Sequence, residues 1–398
     1  MRKKLLFISG SIGLGHVGRD IEIAREVRAR RPHTDIVWIA DEPARSVLRA
    51  AGENVAPEST KVSFGTERVE RSSRDLRANM TMIGVDMMQD ADANAAACRE
   101  VIRREEVDLV IGDETFDLLD AISRDRPMLR GRRMVLITDF LGFEPVSENP
   151  LERTYARYAN AVWYRMMKDR DIVAKCLFVG VPEDVPKDGW SASMPAFKDL
   201  KVDHVGYVLP FKPEDLRDKA RVRTSLGYGE EPLIVCTAGG TSVGRPLLQL
   251  CIQAYPFVRE RLPDARMVVV GGPRIQPGEL EVMEGVTVKG YVPELYRHLA
   301  ACDIAVITAG ATTSLELIAL GRPFIYFPVE AHFEQSVHVS NANMRRGADL
   351  RMTFSQTDPR ALADAIVENM GRKVVYPPLP LDGARKAAEH IIEVLDGT

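Results

Sequence analysis

Short apolar runs, each closed by glycine or a small polar residue, alternate along this chain with longer stretches in which apolar positions recur at helical spacing. The runs at Lys4 to Ser9, Asp35 to Ala40, Leu109 to Gly112, Met134 to Thr138 and Cys176 to Gly180 predict strands. Between the first two, Ile21, Ala24 and Val27 share one helical face while Arg25, Glu26, Arg28 and Arg30 lie on the other, so Val17 to Arg30 predicts an amphipathic helix. This is the rhythm of βαβ units on a parallel sheet.

After a Pro-rich, turn-rich segment, Val205 to Leu216, the rhythm starts afresh. Strands are expected at Leu233 to Thr237, Met267 to Val270, Val286 to Lys289, Ile304 to Thr308 and Phe324 to Phe327, with a helix at Ser314 to Leu320. The prolines of Val374 to Pro380 exclude a helix interior there, and a last helix is expected from Gly383 to Leu395. The expected class is α/β, with two Rossmann-like domains facing each other across a cleft. Their bounds are 1–205 and 206–375, followed by a crossing segment and helix at 376–398.

Composition narrows the function without choosing it. Over 398 residues, 53 basic against 57 acidic side chains leave a net charge of −4, with both signs dispersed, which argues against a nucleic-acid partner. The five cysteines, Cys98, Cys176, Cys236, Cys251 and Cys302, are scattered and form no CxxC pair, so a reducing compartment is expected and a zinc framework is not. The basic opening is too short for a signal-peptide core, and no run reaches the length of a spanning helix. The expected location is cytoplasmic, with the inner face of the membrane as a place of association.

Four segments carry chemistry. The first, Gly10-Ser-Ile-Gly13-Leu-Gly15-His16-Val-Gly18, follows a strand and opens a helix, where glycines let the backbone approach a ligand and amide dipoles favour an anion. It also satisfies a dinucleotide fingerprint, with Asp41 at the end of the second strand, and a nicotinamide enzyme is therefore an alternative. Second, His16 and Asp113 both stand at carboxyl ends of expected strands, where an imidazole can take a proton and a carboxylate can orient it. The plainer alternative leaves Asp113 capping the next helix.

The third, Gly239-Gly240-Thr241-Ser242-Val-Gly-Arg245, offers amides, hydroxyls and a cationic fork to phosphate oxygens, although it lacks the GK[ST] of an ATP-binding loop. In the fourth, Gly310-Ala311-Thr312-Thr313-Ser-Leu-Glu316, small residues open a helix toward a diphosphate, and Glu316 stands one turn inside, within reach of ribose hydroxyls. Thr313-x-x-Glu316 also reads as a capping box.

Taken together, these segments resemble the GT-B glycosyltransferases, in motif style those of family 28 and the related family 1. The resemblance runs through the glycine-histidine loop ending in Gly15 and His16, through GGTSVGR at Gly239 to Arg245, and through Gly290-Tyr-Val292-Pro-Glu-Leu, similar to the segment whose backbone holds the base. It continues in Thr308 to Glu316, and in Glu334-Gln335, which resembles a pair that reads sugar hydroxyls. Departures exist: the peptidoglycan member of family 28 has GGTGGH and GGSQG, and the HHGG segment of deoxysugar transferases is replaced here by Thr308-Ala-Gly-Ala.

The resemblance implies an inverting transfer of a hexose from a nucleoside diphosphate sugar, UDP-linked, to an acceptor hydroxyl. His16 would act as base with Asp113 as its partner. The site would bind no metal and require no cofactor, and the domains would close about Tyr207 to Pro213. The only D-x-D string, Asp90-Ala-Asp92, reads as a solvated helix face. The acceptor is a small molecule or a lipid. Residues 155–175, which mix Arg157, Arg165 and Lys168 with Trp163, Tyr164, Met166 and Met167, suggest either a peripheral membrane contact or a helix packed on the first domain. A UDP-sugar 2-epimerase of the same fold, using Glu114 and Asp117, and a non-catalytic sugar-nucleotide sensor are further alternatives.

Overall fold

The computed structural model describes residues 2–10 and 14–397, without the side chains of 81 and 84–89. The described strands are, in chain order, β1 (Lys3–Ser9), β2 (Thr34–Ala40), β3 (Ser73–Arg74), β4 (Arg77–Ala78), β5 (Leu109–Asp113), β6 (Arg133–Thr138), β7 (Val173–Phe178), β8 (Asp203–His204), β9 (Leu233–Thr237), β10 (Arg266–Val270), β11 (Val286–Lys289), β12 (Ile304–Thr308) and β13 (Phe324–Phe327). Two parallel sheets result, ordered β2-β1-β5-β6-β7-β8 and β11-β10-β9-β12-β13. The expected α/β class with two Rossmann-like sheets is what the chain forms.

Parallel pairing requires crossover connections, most of them helical here, and these cover the sheet faces. Leu5, Leu6, Phe7 and Ile8 of β1 are all buried for this reason, and so are Ile304 to Ile307 of β12. Helix Gly15–Arg30 buries Val17, Ile21, Ala24 and Val27 and ends with Arg28 and Arg30, cations that suit a helix C-terminus.

The chain divides into two units. Unit 1 comprises Met1–Arg68, Met80–Pro210 and Leu379–Thr398; unit 2 comprises Val69–Asn79 and Phe211–Pro378. Sequence order and spatial order therefore differ twice. The hairpin of β3 and β4, from the first part of the sequence, belongs to unit 2, where Ala78 N–H donates to Glu330 O at 2.8 Å and Glu330 N–H donates to Leu76 O at 2.7 Å. The last helix, Gly383–Asp396, belongs to unit 1, where Ala387, Ala388, Ile391 and Leu395 join the core that contains Val27 and Trp38. Gly206 permits the chain's return: it has φ +86°, and a Cβ there would lie 2.7 Å from Pro380 O.

Residues 155–175 fall largely in helix Pro150–Lys168. Its Trp163, Tyr164, Met166 and Met167 are buried inside unit 1. The apolar side chains on which a membrane contact through 155–175 would rest are thus core residues, and the packed-helix alternative describes this segment. No helix among the described residues is long and apolar enough to cross a membrane. The five cysteines are buried and unpaired.

Truncating Ile391 to alanine is expected to destabilise unit 1 by about 2–5 kcal/mol, because a fully buried side chain leaves a cavity behind. Urea unfolding followed by tryptophan fluorescence, which reports on Trp38 and Trp163, checks this.

Candidate active site

In unit 1 the carboxyl ends of β1, β5 and β6 deliver the polar residues. Helix Gly15–Arg30 begins directly at Gly15 and His16, while Gly13 lies outside the described residues. His16 Nδ1 stands 3.4 Å from Asp113 Oδ2, and Nε2 stands 3.8 Å from Glu114 Oε2. The first distance is close enough for a charge contact but lacks hydrogen-bond geometry.

Asp113 does not cap the following helix. Arg19, one turn beyond His16, donates Nε–H to Asp113 Oδ2 at 2.9 Å and Nη2–H to Oδ1 at 2.5 Å, and its Nη1–H reaches Asp139 Oδ2 at 2.7 Å. Burial alone would raise the pKa of Asp113. The Arg19 charge, and then His16, more than offset it and hold this carboxyl well below the usual range. Asp139 is lowered by the same competition. Glu114 and Asp20 go the other way: burial raises both, and the neighbouring charge of Asp139 or Asp113 adds to it. One guanidinium therefore favours the ionised form of two carboxylates beside the imidazole, while burial and like charge work against ionisation of the two further carboxyls.

His16, Glu114 and Asp139 bring ligand atoms close enough together for a metal ion. Arg19 already donates to Asp139 and lies 3.6 Å from Glu114, so the cluster carries its own cation. The sequence reading included His16 and Asp113 and missed Arg19 and Asp139. The available signal was an acidic residue just past β6, in the position that Asp113 holds at the end of β5.

The alternatives find their residues engaged elsewhere. Asp41 accepts from Phe64 N–H at 2.8 Å, where a ribose-binding acid would be needed. Asp117 accepts from Asn94 Nδ2 at 2.7 Å, and Glu114 from Asp139 N–H at 3.3 Å. Asp90 and Asp92 pair with Arg68 and Arg124 respectively.

In unit 2 the expected donor residues all follow carboxyl ends of parallel strands: Gly240 and Thr241 after β9, Val292 after β11, Gly310 to Thr313 after β12, and Glu334 and Gln335 after β13. Gly310 is the N-cap of helix Ala311–Ala319 and supplies no side chain, so Ala311, Thr312 and Thr313 form the first turn. Thr313 is thereby inside the helix, and Thr313-x-x-Glu316 is not a capping box. Glu316 is buried, and its carboxyl has no hydrogen-bond partner among the described residues. Burial pushes its carboxyl up to about 8. Gln335 spends its Oε1 on Val329 N–H at 3.0 Å, within the irregular turn Glu334–Val339.

Arg245, expected to fork onto phosphate, pairs with Glu279 at 3.1 Å and is half exposed. The cation at the glycine turn is Arg274, from the loop after β10. The sequence reading missed it, although Gly271-Gly272-Pro273-Arg274 repeats the pattern of strand, glycines and cation.

The family model for glycosyl transferases group 1 matches residues 232–371, most of unit 2. An uncharacterized glycosyltransferase of Methanopyrus kandleri is 24% identical, over 84% of this chain and 90% of its own length. The UDP-N-acetylglucosamine--N-acetylmuramyl-(pentapeptide) pyrophosphoryl-undecaprenol N-acetylglucosamine transferase of Acetivibrio thermocellus is 22% identical, over 91% of this chain and 88% of its own. Among solved structures, the spinosyn rhamnosyltransferase SpnG complexed with thymidine diphosphate matches with a TM-score of 0.59 at 15% identity, covering 99% of this chain and 96% of that one. The fold is GT-B, two Rossmann-like units in one chain. With the family match and the relatives along its length, the protein is a glycosyltransferase.

Glu316 carries a pH signature. Its pKa in the folded chain, about 8, exceeds the ordinary value of 4.5, so the folded chain holds a proton that the unfolded chain releases between those values. Its contribution to stability is complete below about pH 4.5 and is lost as pH rises through 8. Glu316→Gln is expected to remove up to about 1.4 kcal/mol per pH unit of that decline. Urea unfolding of both proteins at several pH values across this window measures the difference.

Proposed function

We propose that the chain transfers a hexose from a UDP-sugar to an acceptor hydroxyl with inversion at the anomeric carbon, in the manner of family 28 enzymes and without a metal. One observation carries the reading: the His16 imidazole stands against an Asp113 carboxylate that Arg19 keeps ionised. A carboxylate so placed can orient the imidazole and face the imidazolium that forms during transfer.

In this reading Asp113 orients His16 through Nδ1, and Nε2 takes the proton from the acceptor hydroxyl. The acceptor oxygen forms a bond to the anomeric carbon as the bond from that carbon to the diphosphate oxygen breaks, and the diphosphate leaves with the electron pair. The amides of Gly310 to Thr313, with those of Gly240 and Thr241, stabilise the departing charge, the role a divalent cation plays elsewhere. Glu316 receives the ribose hydroxyls, Val292 the base, and Glu334 and Gln335 the sugar. Gly15 lets the backbone approach the reacting groups.

A UDP donor is supported by the name of the Acetivibrio relative, which aligns over most of the chain. SpnG, which shares the fold, is solved complexed with thymidine diphosphate, so a TDP-linked donor is the competing reading. The acceptor, lipid-linked in the one relative's name and an aglycone in another SpnG complex, is here a hydroxyl-bearing small molecule or lipid. Five buried thiols without a disulfide fit a reducing, cytoplasmic setting.

His16→Ala is expected to lower turnover by roughly 10²-fold or more while UDP affinity stays within about twofold, as loss of a general base should. Steady-state kinetics with calorimetric binding tests it, and a weakened affinity at normal turnover would refute the role. Ribose hydroxyls donate to an ionised carboxylate, so nucleotide binding should pull the Glu316 pKa down from about 8. UDP affinity is then expected to rise from roughly pH 6 to pH 8, a trend that Glu316→Gln abolishes.

A further inference from the structure

The glycine turn after β9 already holds an anion, and that anion is part of the chain. The Glu70 carboxylate accepts from Ser242 N–H at 2.7 Å. Arg274 grips the same carboxylate, with Nε 3.1 Å from Oε1 and 3.2 Å from Oε2, and Nη2 2.9 Å from Oε2. Both partners are largely buried, with side chains 14% and 20% exposed. The cation reaches this place because the loop after β10 is pressed onto the turn. Gly272 has φ +72°, and a Cβ on it would stand 2.4 Å from Gly239 O. Any side chain there would push Arg274 away from Ser242.

A backbone amide and a guanidinium converging on one carboxylate make a receptor for an oxyanion, and they bind phosphate oxygens by the same geometry. Glu70 comes from Val69–Asn79, the short stretch of the first part of the sequence that belongs to unit 2. Its far end is tied to a second donor loop, through the backbone pair of Leu76 and Ala78 with Glu330. One segment therefore touches both the turn expected to hold diphosphate and the strand-end loop that leads to Glu334 and Gln335.

We infer that Ser242 N–H and Arg274 form a binding site for the pyrophosphate group of the donor, and that Glu70 is a resident competitor which the donor displaces. This deepens the donor assignment above and rests on it for the nucleotide alone; the oxyanion site itself does not depend on the nucleoside. Displacement has two consequences. Free phosphate and pyrophosphate, which have no base or sugar contacts to offset the loss of the Glu70 ion pair, are held off. Donor binding also frees the 69–79 segment, so occupancy of the turn is transmitted to the loop at Glu330.

The test is calorimetric binding of inorganic pyrophosphate, UDP and uridine to the full chain and to Glu70→Gln, with Glu70→Ala as a second variant. Removing the competitor is expected to tighten pyrophosphate and UDP by roughly tenfold and to leave uridine unchanged. Adding Arg274→Gln to the Glu70→Gln background is expected to reverse the gain. In the wild-type chain, which needs no variant to fold, UDP should speed amide hydrogen exchange within 69–79.

Pyrophosphate binding that is equal in, or weaker for, the Glu70 variants, or exchange in 69–79 that slows when UDP binds, would overturn the inference. If the variants gain pyrophosphate but no nucleoside diphosphate binds, the oxyanion site stands and the donor reading falls.

Discussion

Parallel strand pairing is the constraint from which the rest of this structure follows. A parallel strand can reach its neighbour only through a crossover, so every strand of a sheet ends on the same edge, and the loops after those ends are collected there. In unit 1 the edge gathers the residues after β1, β5 and β6; in unit 2 it gathers those after β9 to β13. Chemistry-bearing side chains scattered over more than a hundred residues of sequence thereby become neighbours at the cost of loop geometry alone.

The two edges handle burial of charge in opposite ways. In unit 1, Arg19 sits among four carboxyl groups, and the cluster divides into two whose pKa is lowered and two whose pKa is raised. A buried guanidinium without these partners would be prohibitively costly, and so would the ionised carboxylates without it. In unit 2, Glu316 has no charged partner among the described residues, and burial raises its pKa to about 8. Low dielectric surroundings strengthen whichever pairing is available, so each buried carboxyl is tuned by whether a cation stands beside it. Arg274 follows the same rule at the glycine turn, where it holds a carboxylate in a place built for oxyanions.

Much of this was legible in the chain. Ten strands were read from apolar runs because a strand covered on both faces needs nearly uninterrupted apolar sequence, and β9, β11, β12 and β13 have the bounds that the runs predicted. His16 and Asp113 stood out because one ends a glycine run that opens a helix and the other closes an apolar strand. The partners of these residues were harder to see. Arg19 sits in an ordinary helical stretch, and only the fold turns its side chain inward. Asp139 follows β6 without a motif around it, and the spacing of Arg245 gave no sign of its pair with Glu279.

The sequence by itself determined the periodicities, and with them the strands, the helices and the glycine turns, since these depend on a residue and its near neighbours. Only tertiary structure decided which charges meet. Glu70 lies 172 residues from Ser242 and 204 from Arg274, and the last helix returns to unit 1 across the whole of unit 2. No local spacing encodes such pairings. They arise because burying apolar faces fixes the backbone first, and ionisable groups carried inside must then find partners or give up their charge.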